Sequence, residues 1–134
     1  MARVKRLILE VILLLSLLLE LTTVVSIGPR TLQIFNNVQP ADKLTVHCKS
    51  GDEDVGEVEL KYGEVYEFKY NLNIWGTTLY FCRITWRYKT LSFDAYRHSR
   101  DFTTCDLYCV WSVTIDGPYF FDARKRIWVL LYRW

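Results

Sequence analysis

The chain has 134 residues, with 17 basic and 15 acidic side chains, a formal net charge of +2, four cysteines, two histidines, and five Trp, nine Tyr and seven Phe. The near-neutral balance leaves no basic excess for a nucleic-acid surface. Two histidines leave few ways to assemble a nucleophile, a base and an orienting acid.

The first 26 residues differ from the rest. Arg3, Lys5 and Arg6 precede an apolar block, Val11 to Leu19, and small residues follow at Val24 and Ser26. This is the three-part layout of a secretory signal peptide, with cleavage expected after Ser26. The competing reading, a membrane anchor from Leu7 to Ile27, would place Glu10 and Glu20 in hydrocarbon, where carboxylates are costly. Residues 27–134 then form one domain with a single core, carrying fourteen basic and thirteen acidic residues, every cysteine and every aromatic.

Period-two alternation broken by turn signals runs through this domain, as in an all-β sandwich. After the candidate strand "TLQIF", "KLTVHCK" sets Leu44, Val46 and Cys48 against Thr45, His47 and Lys49, and the first set should be buried. "GEVEL" is a further candidate strand. In "VYEFKYN" the inner face should be Tyr66, Phe68 and Tyr70. "TTLYFCRITW" is apolar on both faces at Tyr80 and Phe81, which predicts a central strand covered on both sides. "TLSFDAY" follows, and "CVWSVTI" points Cys109, Trp111, Val113 and Ile115 inward. The turn "IDGPYF" allows positive φ at its glycine and no ladder donation at Pro118. "YFF" and "IWVLLY" complete the strands, and no helical period is visible in the domain. The expectation is a small antiparallel β-sandwich stapled by two disulfides.

Four cysteines allow three pairings. A zinc site needs four ligands; besides the thiols only His47 and His98 offer imidazole, and His47 leaves the opposite strand face from Cys48, although three or four cysteines alone could bind the metal. Thiols in a secreted chain are normally oxidised. A Cys105–Cys109 bridge would close a very small ring, so the expected pairing is nested: Cys48 with Cys109, both on inward strand faces, and Cys82 with Cys105. Bridges over such loops contribute about 3 to 4 kcal/mol each in the chain-entropy model.

The strings "LTVHCKS" (44–50), "DEDVG" (52–56), "GTTLYFC" (76–82), "FDAY" (93–96), "RD" (100–101) and "CDLYCVWSVTIDGPY" (105–119) together resemble the plant self-incompatibility protein homologues, also called S-protein homologues. The resemblance spans Leu32 to Tyr119. It implies a small secreted plant protein with a signal peptide, two disulfides and a β-sandwich, one of whose relatives is a stigma-secreted determinant recognised by a pollen membrane protein. Many relatives carry a glycosylation sequon; Asn36, Asn37, Asn71 and Asn73 are each outside an Asn-x-Ser/Thr context.

Candidate partner contacts sit in three polar stretches: Asp52, Glu53 and Asp54; Arg97, His98 and Arg100; Arg124 and Lys125. "DEDVGE" lacks the glycine and glutamate spacing of an EF-hand loop, and paired carboxylates on so short a loop have no cleft for glycosidase chemistry. The expected function is therefore that of an extracellular signalling ligand read through its loops by a cell-surface receptor. It is expected to be a monomer and not an enzyme, with no metal or other cofactor, no nucleic-acid partner and no stable membrane insertion after signal cleavage. The alternatives are a carbohydrate- or wall-binding module using Trp75 or Trp134, and a membrane-active defence protein using the tail from Arg124 to Trp134.

Overall fold

A computed structural model of the chain describes residues 2–23 and 28–134. The expected cleavage position after Ser26 lies outside the described residues. Helix α1 (Ala2–Thr23) holds the apolar block Val11 to Leu19, with Leu13 and Leu14 exposed to solvent. Arg6 meets Glu10 at 3.5 Å one turn along, an exposed pair of small energetic weight. Among the described residues, no helix is long and apolar enough to cross a membrane.

The domain is a two-sheet sandwich. Its elements in chain order are β1 (Arg30–Asn36), β2 (Leu44–Lys49), β3 (Asp54–Leu60), β4 (Val65–Tyr70), β5 (Leu79–Trp86), β6 (Lys89–Arg97), α2 (His98–Asp101), β7 (Tyr108–Thr114), β8 (Gly117–Asp122) and β9 (Ile127–Leu130). One sheet runs β4-β1-β7-β8-β9 and the other β3-β2-β5-β6. Among the described residues every pairing is antiparallel except β1 with β7, which is parallel.

Strand parity builds the core. Leu44, Val46 and Cys48 of β2 are fully buried, as are Cys109, Trp111 and Val113 of β7. Tyr66 and Tyr70 of β4 face inward with the half-buried Phe68 between them. Trp111 joins the sheets: its indole N–H donates to the Ala95 carbonyl at 2.9 Å, and its ring meets Phe93 edge-on at 4.8 Å and Phe120 at 5.0 Å.

Three expectations about faces and elements need correction. Phe81 is 42% exposed, because the outer face of β5 is open to solvent, although the strand is central in its sheet. Ile115 is exposed because β7 ends at Thr114, whose hydroxyl donates to the Gly117 carbonyl and accepts from the Asp116 amide, turning the chain out of the core. The segment after β6, read as loop, contains the short helix α2.

The nested disulfide pairing is also wrong. The bridges are Cys48–Cys82 and Cys105–Cys109. Cys48 and Cys82 stand directly opposite each other on the inner face of β2 and β5, with Cα atoms 4.0 Å apart. Parity alone reported that both Cys48 and Cys109 point inward, and it could not report that they lie on different sheets. The small ring forms because the Cys105 amide bonds the Asp101 carbonyl at 3.1 Å before the chain turns into β7, which brings the Cys105 and Cys109 Cα atoms to 5.1 Å. In the chain-entropy model the larger ring contributes about 4 kcal/mol and the smaller about 2 kcal/mol.

The tail closes the end of the sandwich where the β7–β8 turn lies. The backbone of Tyr132 passes so close over Gly117 (φ +133°) that a Cβ there would overlap it. The Trp134 indole donates to the Thr114 carbonyl at 2.8 Å and packs on Trp86. Asp42 lies at the same end, accepting from the Trp86 indole at 2.6 Å, Gln39 at 2.7 Å and Arg87 at 2.9 Å. The Trp86 bond, with Arg87 beside it, holds the Asp42 carboxyl below its usual range against the opposing effect of burial. A carboxyl depressed in the folded state stabilises above its unfolded pKa of about 4 and loses that contribution as pH falls through the lower folded value. The stability gap between the parent protein and Asp42→Asn should therefore be constant at neutral pH and shrink below about pH 4, as followed by urea unfolding monitored through tryptophan emission.

Candidate functional site

The topology gathers the longest connections at one end of the sandwich. The end of β2 pairs with the start of β5, the start of β5 with the end of β6, the start of β1 with the end of β4, and the end of β8 with the start of β9. The β2–β3 hairpin, the 71–78 loop, the 98–107 segment and the 123–126 turn consequently share this end. A groove of about 390 Å³ lies between hairpin and loop, lined by residues that include Ser50, Asp52, Asn71, Asn73 and Tyr80. A second groove links the same loop to Asp94, Arg97 and His98, and both are lined by Thr77, Thr78 and Leu79. The surface is thus continuous from the hairpin to α2.

The 71–78 loop stands out by what it exposes. Ile74 is 89% and Trp75 79% exposed. The backbone beneath them is fixed: the Asn73 side-chain carbonyl accepts from the Trp75 amide at 3.2 Å and the Thr77 amide at 3.0 Å, its NH2 donates to the Thr77 hydroxyl, and its amide donates to the Thr78 hydroxyl. Gly76 (φ +68°) completes the turn against the His98 ring, which stacks on Phe102. Two large apolar side chains are therefore held in water on an ordered support, and tryptophan is among the residues that carry most binding energy at protein interfaces.

Around this tip the candidate residues divide. Asp52 is exposed. Glu53 accepts from the Tyr80 hydroxyl at 3.0 Å, which fastens the hairpin to β5. Asp54 is engaged by the His47 ring at 2.7 Å and by the Gly56 amide, and these bonds lower its pKa in that order. Arg97 is exposed and reaches Asp94 at 3.6 Å. His98 is half-buried as described, and Arg124 and Lys125 are exposed in the β8–β9 turn, where their amides donate to the Asp122 carboxylate.

Arg100 is not a surface contact. Its guanidinium forks onto the fully buried Asp101 with bonds of 2.6 and 2.7 Å, donates to the Tyr132 hydroxyl at 2.9 Å and the Asp94 carbonyl at 2.7 Å, and lies over the Trp111 and Phe120 rings. Asp101 also accepts from the Arg97 amide at 2.8 Å. Within the 96–101 stretch, polar in sequence, Arg100 and Asp101 form an internal clamp between the sheets and the tail. Arg30 gives a second clamp that sequence reading missed: its buried guanidinium donates to the carbonyls of Asp101, Phe102 and Cys105, tying the start of β1 to the 98–107 segment. A lone arginine at a strand start carries no local signal of such a role.

The family model described as plant self-incompatibility protein S1 matches residues 31–134. The chain belongs to this family. The match extends beyond Tyr119 to the final residue, so the docked tail is part of the family's domain. Among curated relatives, S-protein homolog 2 of Arabidopsis thaliana is 36% identical over 109 residues, covering 78% of this chain and 68% of the relative. S-protein homolog 5 of the same plant is 38% identical over 88 residues, covering 66% and 68%. A solved structure of a self-incompatibility protein homologue, described as coming from a widespread family of small, highly stable, secreted plant proteins, superposes with a TM-score of 0.55 at 20% identity over 81% of this chain and 92% of that one. This likeness shows the shared fold.

Among the described residues, no group of three or more His, Cys, Asp or Glu side chains is placed to hold a metal ion; His47 bonds Asp54, and His98 stacks on Phe102 with its Nδ1 buried and without a hydrogen-bond partner.

Proposed function

We propose that this family member is a secreted signalling ligand, read by a cell-surface partner through the loop end of its sandwich, by surface complementarity without catalysis. The observation that carries the reading is the ordered Ile74–Trp75 tip, with a groove on one side reaching the acidic hairpin at Asp52 and a groove on the other reaching Arg97. Apolar anchors ringed by charges of both signs suit a protein surface, where anchors supply affinity and charges supply selectivity. Secretion is supported by the three-part leader and by the description of the structural neighbour's family as secreted.

Labelled protein applied to plant protoplasts should bind saturably, and treating the cells with protease should abolish binding. Trp75→Ala should weaken it about tenfold or more while changing stability by less than about 0.5 kcal/mol. Binding that neither saturates nor responds to Trp75→Ala would sink the proposal. The same exposed indole supports a second reading, stacking on a sugar ring; retention on a glycan array, lost in Trp75→Ala, would select it. A membrane-active role draws less support, since Tyr132 and Trp134 of the tail are committed to Arg100 and Thr114.

A further inference from the structure

The four edge strands of the sandwich are β4, β9, β3 and β6. Exposed edges offer unpaired backbone groups to other strands, and proteins usually guard them with charges, proline or a bulge. Three of the edges follow that rule: β3 carries Glu57 and Glu59, β4 carries Glu67 and Lys69, and β6 carries Lys89, Asp94 and Arg97. β9 reads Ile-Trp-Val-Leu, with no charge and no proline, and both Ile127 and Trp128 are 48% exposed. Its ladder runs to β8 alone among the described residues.

The surroundings of β9 specify what would add to it. Exposed Arg124, Lys125 and Arg126 precede the strand and exposed Arg133 follows it, and none of the four enters an ion pair among the described residues. Asp122, the carboxylate nearest to them in sequence, is buried and already accepts from the Arg124 and Lys125 amides. A second copy is a poor occupant, because antiparallel β9–β9 pairing centred on the strand would set the 124–126 turn of one copy beside Arg133 of the other. An extended segment with an apolar centre and acidic flanks would complete the sheet, cover Trp128 and neutralise the cations at both ends.

We propose that the free edge of β9 is a strand-addition site for an acidic-flanked extended segment of a partner protein. This site is separate from the Ile74–Trp75 tip and does not rest on the reading of that tip.

The probe is a random peptide library displayed on phage and selected against the immobilised full-length protein. Selected peptides should show an apolar, β-branched centre with Asp or Glu on either side, and a synthetic copy should slow amide hydrogen exchange across residues 127–130. Its affinity should fall about tenfold in the Lys125→Glu/Arg133→Glu double variant, which leaves the strand itself intact. It should fall similarly in Trp128→Lys, which installs the usual edge guard. Trp75→Ala should leave it unchanged, so a failed loop-end reading remains distinguishable from a failure here. No enrichment, peptides lacking acids, protection elsewhere in the chain, or self-association through residues 127–130 would each overturn the proposal.

Discussion

Replacing Arg100 by alanine is expected to destabilise the domain by about 3 to 5 kcal/mol, the range found when one partner of a buried ion pair is removed. The variant leaves the Asp101 carboxylate, which has no solvent exposure, without its counter-charge and removes the bonds to Tyr132 and the Asp94 carbonyl. Arg100→Lys should recover part of the loss, since an ammonium supplies the charge but not the planar fork. Asp101→Asn should be less damaging than Arg100→Ala, because the amide carbonyl still accepts from the Arg97 backbone. Urea unfolding midpoints with an unchanged m-value would report these as stability changes. If Arg100→Ala instead unfolds like the parent protein, the guanidinium is not part of the core and its place as a surface contact returns.

The second large effect is expected at Trp111. Truncation to alanine removes a fully buried ring that spans the two sheets and should cost about 3 to 5 kcal/mol through lost burial and the cavity left behind. Trp111→Phe keeps part of the volume but leaves the Ala95 carbonyl without its indole donor, a penalty of about 1 to 3 kcal/mol if no water reaches it. Since the Arg100 guanidinium sits 5.6 Å from the Trp111 ring centre, the two substitutions should not add. A double-mutant cycle should return a coupling of about 0.5 kcal/mol or more. Strict additivity would place the two residues in independent parts of the core.

Period-two patterning made the inner faces of β2, β4 and β7 readable, because alternation is a local property of the chain and burial on one face writes it directly into the residue types. What alternation cannot encode is which strand lies opposite. That information is non-local, so Cys48 and Cys109 could be assigned inward yet paired wrongly, and the covering of Phe81 could be expected where solvent lies. The site shows the same division. The acidic hairpin and the basic turn were visible as polar runs. Arg100 and Asp101 look like any other pair of charges until the fold surrounds them, and the Ile74 anchor looks like any apolar residue until the Asn73 turn lifts it out of the core.

The single parallel pairing constrains how the chain assembles. β1 lies in mid-sheet between β4 and β7, with Thr31 through Asn36 in register with Tyr108 through Val113. During synthesis β1 leaves the ribosome well before β7, so one of its two edges stays unpaired until more than half of the remaining chain has followed. The β2-β3 and β5-β6 neighbours can form as they emerge, whereas the five-stranded sheet must wait. Contacts of such long sequence separation slow folding, and an open, apolar strand in the interval is a target for misassembly. Chaperone dependence of this domain should therefore centre on residues 30–36, and truncations ending before residue 108 should accumulate as species bound through that strand.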